Sequence, residues 1–116
     1  MSQANNAALN ALIRDGKALD GFEQFYADEI SMQENSAPAT VGKDANRVRE
    51  LEFFGSIGKV NRFEQGLTAY EGDVAFSEWH LDVEFNNGFH MKTTQVSRRV
   101  WKDGKVVEER FYYSAG

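Results

Sequence analysis

Hydrophobic and polar residues alternate most cleanly over the last third of the chain, where Val74–Phe85, Phe89–Trp101 and Lys105–Tyr113 read with period two. Asn86-Asn87-Gly88 separates the first two runs, and Lys102-Asp103-Gly104 separates the second from the third. Asn-Gly and Asp-Gly supply the positive φ that tight antiparallel turns require, so the pattern predicts three long strands joined by two hairpins. Lys59–Glu71 reads as a less regular strand that Gly72-Asp73 turns into Val74–Phe85.

The first half carries a helical period instead. Ala4–Ile13 has an apolar stripe of Leu9, Leu12 and Ile13, and Asp15-Gly16 breaks it. A second helix is predicted over Lys17–Ala27, with Leu19, Phe22, Phe25 and Tyr26 on one face. Glu29–Glu34 alternates again, placing Ile30, Met32 and Glu34 together on one side of a short strand. Asn35–Thr40, with the only proline at Pro38, is a loop. Gly42–Ile57 is the third helix, with Val41, Ala45, Val48, Leu51 and Phe54 spaced to face a core and Gly58 as its C-terminal cap. Helix, helix, strand, helix and four antiparallel strands make an α+β fold: a cone-shaped curved antiparallel sheet with three helices packed on its concave face. Such a cone could hold a small molecule.

Turn chemistry selects the register. A three-residue Asn86-Asn87-Gly88 loop pairs Phe85 with Phe89, Val83 with Met91, Leu81 with Thr93 and Trp79 with Gln95 on one face, and Glu84 with His90 and Asp82 with Lys92 on the other. A two-residue turn would lose these matches, each worth roughly 0.2–1 kcal/mol. The first face runs on through Ser97, Arg99 and Trp101, and the last strand adds Val107, Glu109, Phe111 and Tyr113.

At 116 residues the chain is expected to form a single domain over residues 1–116. It lacks cysteine, so disulfides and thiolate chemistry are excluded. With a net charge of −5 and scattered basic residues, it has no electrostatic footprint for nucleic acid. No apolar run approaches a membrane span, and no signal peptide is legible, so a cytoplasmic location is expected. No cofactor is called for. Nine Phe, four Tyr and two Trp could build a stiff core or line an apolar pocket.

Two segments resemble the SnoaL-like branch of the nuclear-transport-factor-2-like superfamily. One is Leu19-Asp20-Gly21-Phe22 through Phe25-Tyr26-Ala27-Asp28-Glu29-Ile30 to Gly42-Lys43-Asp44-Ala45; the other is Arg99-Val100-Trp101-Lys102-Asp103-Gly104-Lys105-Val106-Val107 through Phe111-Tyr112-Tyr113. The resemblance implies a conical α+β barrel, a pocket between helices and sheet for a small apolar ligand, and a homodimer. The branch includes ketosteroid isomerases, polyketide cyclases, epoxide hydrolases, dehydratases and noncatalytic members, so the fold does not name the reaction.

Glu34, beside Ile30 and Met32, is the candidate general base, because desolvation there would raise its pKa toward neutrality. By resemblance it occupies the position of the isomerases' general-base aspartate. A solvated strand-end carboxylate is the competing reading. The isomerases' oxyanion acid aligns with Ser97, and their tyrosine falls near Leu9 or Asn10, so the rest of that site does not transfer. The epoxide hydrolases' arginine and aspartate align with Trp79 and Leu81, so that chemistry is not supported.

Gln95, Ser97, Arg99 and Glu109 form a polar end to the concave face, with Tyr113 nearby. They could orient a ligand oxygen, or Arg99 and Glu109 could simply pair near the rim. Phe22, Tyr26, Phe54, Trp79 and Phe85 are core by default, and their inner faces can form the pocket wall. Glu78, His80, Asp82, Glu84 and His90 share the opposite face, where a solvated row explains them better than a metal, so no metal site is expected. The sequence therefore supports acid/base chemistry on a small apolar oxygen-bearing metabolite. The alternatives are noncatalytic binding, or a dimeric module whose pocket its own aromatics fill.

Overall fold

The computed structural model describes residues 2–114. Its elements are α1 (Ser2–Arg14), α2 (Ala18–Phe25), β1 (Tyr26–Glu34), β2 (Thr40–Val41), α3 (Lys43–Gly55), β3 (Ile57–Glu71), β4 (Val74–Phe85), β5 (His90–Lys102) and β6 (Lys105–Tyr112). The six strands form one open sheet in the order β2-β1-β6-β5-β4-β3. This is the expected α+β arrangement, with the helices over one face of the sheet. Neighbouring strands run antiparallel except β1 and β6, which pair in parallel. The chain passes from β1 through β2, α3 and three further strands before β6 returns beside it, a long-range pairing that local alternation cannot reveal.

The β4–β5 register follows the turn chemistry. Val83 faces Met91, Leu81 faces Thr93, Trp79 faces Gln95, Glu84 faces His90 and Asp82 faces Lys92. Phe85 N–H donates to the Phe89 carbonyl at 2.8 Å, and Gly88 closes the loop at φ +90°. At the next hairpin Asp103 and Gly104 both adopt positive φ, which a two-residue turn of matching twist demands.

Leu9, Phe22, Phe25, Tyr26, Ile30, Trp101 and Val106 make the packed core. Gly21 lets α2 approach α1 closely, since a Cβ there would fall 2.7 Å from Leu9 Cδ1.

Three local expectations change. A register shift in the β5–β6 pair sets Trp101 opposite Val106, so Val106 rather than Val107 enters the core. Ser56, not Gly58, ends α3, and its N–H reaches the Glu52 carbonyl at 3.0 Å. Gly58 already lies in β3. On α3 most of the apolar stripe faces outward: Val48 and Leu51, with Val41 just before the helix, are all more than half exposed, and only Phe54 keeps to the cavity side. Asn46, Glu50 and Phe53 turn inward instead, and Arg49 reaches the rim. Helical apolar spacing locates the core face only when that face meets a solid core; here it meets a cavity.

Candidate functional site

The cavity, about 210 Å³, lies between the helices and the sheet. Its walls are largely apolar: Phe22 from α2, Phe53 and Phe54 from α3, Phe63 from β3, Trp79 and Leu81 from β4, and Phe111 from β6. Phe53 meets Phe54 edge-on at 5.1 Å between ring centroids, and Phe63 meets Trp79 at 5.9 Å, so the walls are braced against collapse. An engineered apolar cavity of about 150 Å³ holds benzene. This one has room for a substituted ring.

The floor is a buried polar network. Arg99 Nε donates to Glu109 Oε2 at 2.6 Å, with both side chains almost wholly enclosed. Arg99 Nη1 donates to Asn10 Oδ1 at 2.6 Å and to Asn6 Oδ1 at 3.1 Å, and Trp101 Nε1 donates to the same Asn6 oxygen at 3.1 Å. The Tyr26 hydroxyl donates to the other Glu109 oxygen. Burial, reinforced by the Glu109 charge, pushes the Tyr26 phenol well above its ordinary range, so it stays a donor. Burial also opposes the Arg99 charge, but pairing with Glu109 and Tyr26 outweighs it and the net shift is upward. The expected rim pairing of Arg99 with Glu109 is thus corrected: this polar end of the sheet face lies under α1, whose Asn6 and Asn10 cover it.

Glu50 lies on the α3 wall, one helical turn from Asn46 and Phe53, and faces the cavity. It has no hydrogen-bond or ion-pair partner among the described residues. Burial, then the nearby charges of Glu109 and Glu34, push its carboxyl up to about 7. Asn46 is spent on structure: its amide donates to the carbonyls of Thr40 and Gly42 at 2.9 Å and tethers α3 to β2.

Glu34 sits at the rim, its side chain 48% exposed. It accepts from Arg49 Nη2 and from the Tyr113 hydroxyl, both at 3.1 Å. Burial and the Glu34 charge raise the Tyr113 phenol. The desolvated surroundings expected for Glu34 are those of Glu50 instead.

Among the residues marked from sequence, Glu34, Gln95, Arg99, Trp79, Tyr26, Phe22, Phe54 and Tyr113 all line the cavity. Ser97 does not. It is buried in the sheet, and its hydroxyl meets no partner among the described residues. Sequence reasoning missed Glu50, Asn6 and Asn10. The signal for Glu50 was its spacing from Asn46 and Phe53, a polar–aromatic face turned away from Val48.

On the outer face His90 pairs with Asp82 at 2.5 Å, and His80 meets Thr94 at 2.9 Å. Among the described residues no three His, Asp or Glu side chains are grouped to hold a metal. No described helix is long and apolar enough to cross a membrane.

No family model matches the chain, and no curated protein matches it in sequence. Solved structures do match. A protein from Mesorhizobium loti, named provisionally as a SnoaL-like polyketide cyclase, superposes with a TM-score of 0.86 at 24% identity, over 95% of this chain and 97% of that one. A second provisional SnoaL-like cyclase, from Jannaschia sp. CCS1, gives 0.82 at 14% identity over 97% and 88%. The chain has the SnoaL-like, nuclear-transport-factor-2-like fold. A provisional isomerase from Bacillus subtilis shares the fold too, at a TM-score of 0.77 and 16% identity over 97% of this chain and 86% of that one. At these identities the SnoaL-like likeness fixes architecture and leaves the chemistry to the side chains.

Proposed function

We propose that this SnoaL-like protein catalyses proton transfer on a small, neutral, apolar metabolite bearing a carbonyl or phenol oxygen, in a reaction of isomerase or cyclase type. One observation carries the reading: Glu50 is an unpartnered carboxyl on the wall of an aromatic cavity, with its pKa raised to about 7. A group poised there can accept a proton from carbon and return it. The other acids near the cavity are engaged, Glu109 by Arg99 and Tyr26, and Glu34 by Arg49 and Tyr113.

In this mechanism the substrate lies along the aromatic wall with an acidic C–H toward Glu50. Its oxygen points to the floor, where the Arg99 guanidinium and the Gln95 amide line the cavity. As Glu50 removes the proton, negative charge grows on that oxygen, and fixed donors stabilise it without reorganising. Protonated Glu50 then delivers the proton to another carbon or to oxygen. Glu34, named as base by the resemblance, holds Arg49 and Tyr113 at the rim instead.

Solvent deuterium exchange into aryl ketones such as 1-tetralone, followed by NMR, tests this. Exchange should rise with pH and level off above about 7. Glu50→Gln should abolish it, while Glu34→Gln should retain most of it. Binding of the ketone without exchange would give the noncatalytic ligand-binding reading. The resemblance also implies a homodimer, and a monomer in analytical ultracentrifugation at micromolar concentration would remove that part.

A further inference from the structure

We propose that the ligand is elongated, with its oxygen-bearing head in the cavity and an apolar arm lying in a groove on the outside of the molecule. This rests on the reading of the cavity as the ligand site and goes beyond it in length and shape.

Two concavities share a wall. Ile13, Ala18, Phe54 and Phe63 line the 210 Å³ cavity and also border an open groove of about 750 Å³ between the α1–α2 turn and the start of β3. Beyond those four, Ile57 and Val60 line the groove. Val60 is 54% exposed among Lys59, Asn61 and Arg62, an apolar side chain displayed in a polar run. The α1–α2 turn borders the groove with Arg14, Lys17, Asp15 and Asp20, two cations and two anions that cancel. A charged tail would find no net partner there. An alkyl chain would find Ile57, Val60 and the outer faces of the four shared residues, and those four are all that stands between it and the cavity. The cavity alone holds about one ring, below the roughly 300–1,000 Å³ of most small-molecule sites; cavity and groove together reach that range.

The test is a series of straight-chain phenyl ketones, from acetophenone to octanophenone, titrated while the fluorescence of Trp79 on the cavity wall is recorded. Affinity should rise about fourfold for each methylene buried. Val60→Asp, on the exposed side of the groove, should leave acetophenone binding unchanged and cut the gain for the longer members to less than about twofold per methylene. Affinity flat with chain length, or a chain-length gain that survives Val60→Asp, overturns the arm while leaving the cavity reading intact. If no member binds, the cavity reading fails and the arm fails with it.

Discussion

The floor of the cavity buries one acidic side chain and the α3 wall half-buries another, and they treat them oppositely. On the floor Glu109 receives Arg99 and Tyr26, and the Arg99 guanidinium is further engaged by two asparagines. On the wall Glu50 has no partner among the described residues, and its proton affinity rises to meet neutral pH. A buried charge is tolerated when paired and hydrogen-bonded; left alone it shifts its pKa instead. The floor therefore serves structure and the positioning of donors, while the wall supplies the group able to change protonation state. Perturbation by desolvation in a cleft is what marks a candidate catalytic acid or base.

The sharpest way to break this contrast is to remove one floor partner. Glu109→Ala leaves Arg99 buried without its carboxylate and Tyr26 without its acceptor. Loss of one member of a buried pair costs on the order of 3–5 kcal/mol. Urea unfolding should show that loss as a lower midpoint with an unchanged slope. A cost below about 1 kcal/mol would mean the network is solvated like a surface pair, and the contrast with Glu50 would disappear.

The wall should respond with the opposite sign. The Glu50 carboxyl moves from an ordinary 4.5 to about 7 on folding. The folded state therefore binds the extra proton between those values, and stability falls as pH rises through that window, then stays low above it. Glu50→Gln removes the penalty. It should stabilise the protein by on the order of 3 kcal/mol at pH 8, roughly 10 °C in Tm, and change little near pH 4. Calorimetry at the two pH values decides it. A destabilised variant at pH 8 would show that Glu50 carries a structural partner.

How much of this was legible in the chain depends on what each pattern reports. Alternation and turn residues report local geometry, so β4, β5, their hairpin and the Trp79–Gln95 pairing were readable residue by residue. Placing the aromatics on the inner face followed from the same alternation. The parallel β1–β6 pairing and the covering of Arg99 by α1 are long-range events, and no local period encodes them. Asn6 and Asn10 carry no apolar signal, yet they are buried because a charge from β5 needs acceptors. Glu50 was hidden because the stripe rule assumes a solid core, and α3 faces a void.

Asn10 gives an intermediate case. Its Oδ1 accepts from Arg99 and its Nδ2 donates to Ser77 Oγ at 3.3 Å, all in the interior. Asn10→Ala leaves Arg99 with Asn6 and Glu109 but strips Ser77 of one bond. A cost of about 1–3 kcal/mol is expected, independent of pH between 5 and 8. A pH-dependent cost would mean that Asn10 tunes Glu50 across the cavity, joining floor and wall into one titrating unit.

The smallest effect belongs to the rim. Glu34 and Arg49 are each about half exposed, so water and salt screen their attraction. Arg49→Ala should change stability by less than about 1 kcal/mol, and by less still in molar salt. Its value lies in what it leaves alone. Glu50 feels Glu34 through space, and Arg49 offsets part of that influence. Removing the cation should push the Glu50 carboxyl further up and shift the rise in deuterium exchange to higher pH, with little change in folding. An exchange profile that stays put would confine Glu50's environment to burial and Glu109, and the rim would then serve only to hold Tyr113 and the mouth in place.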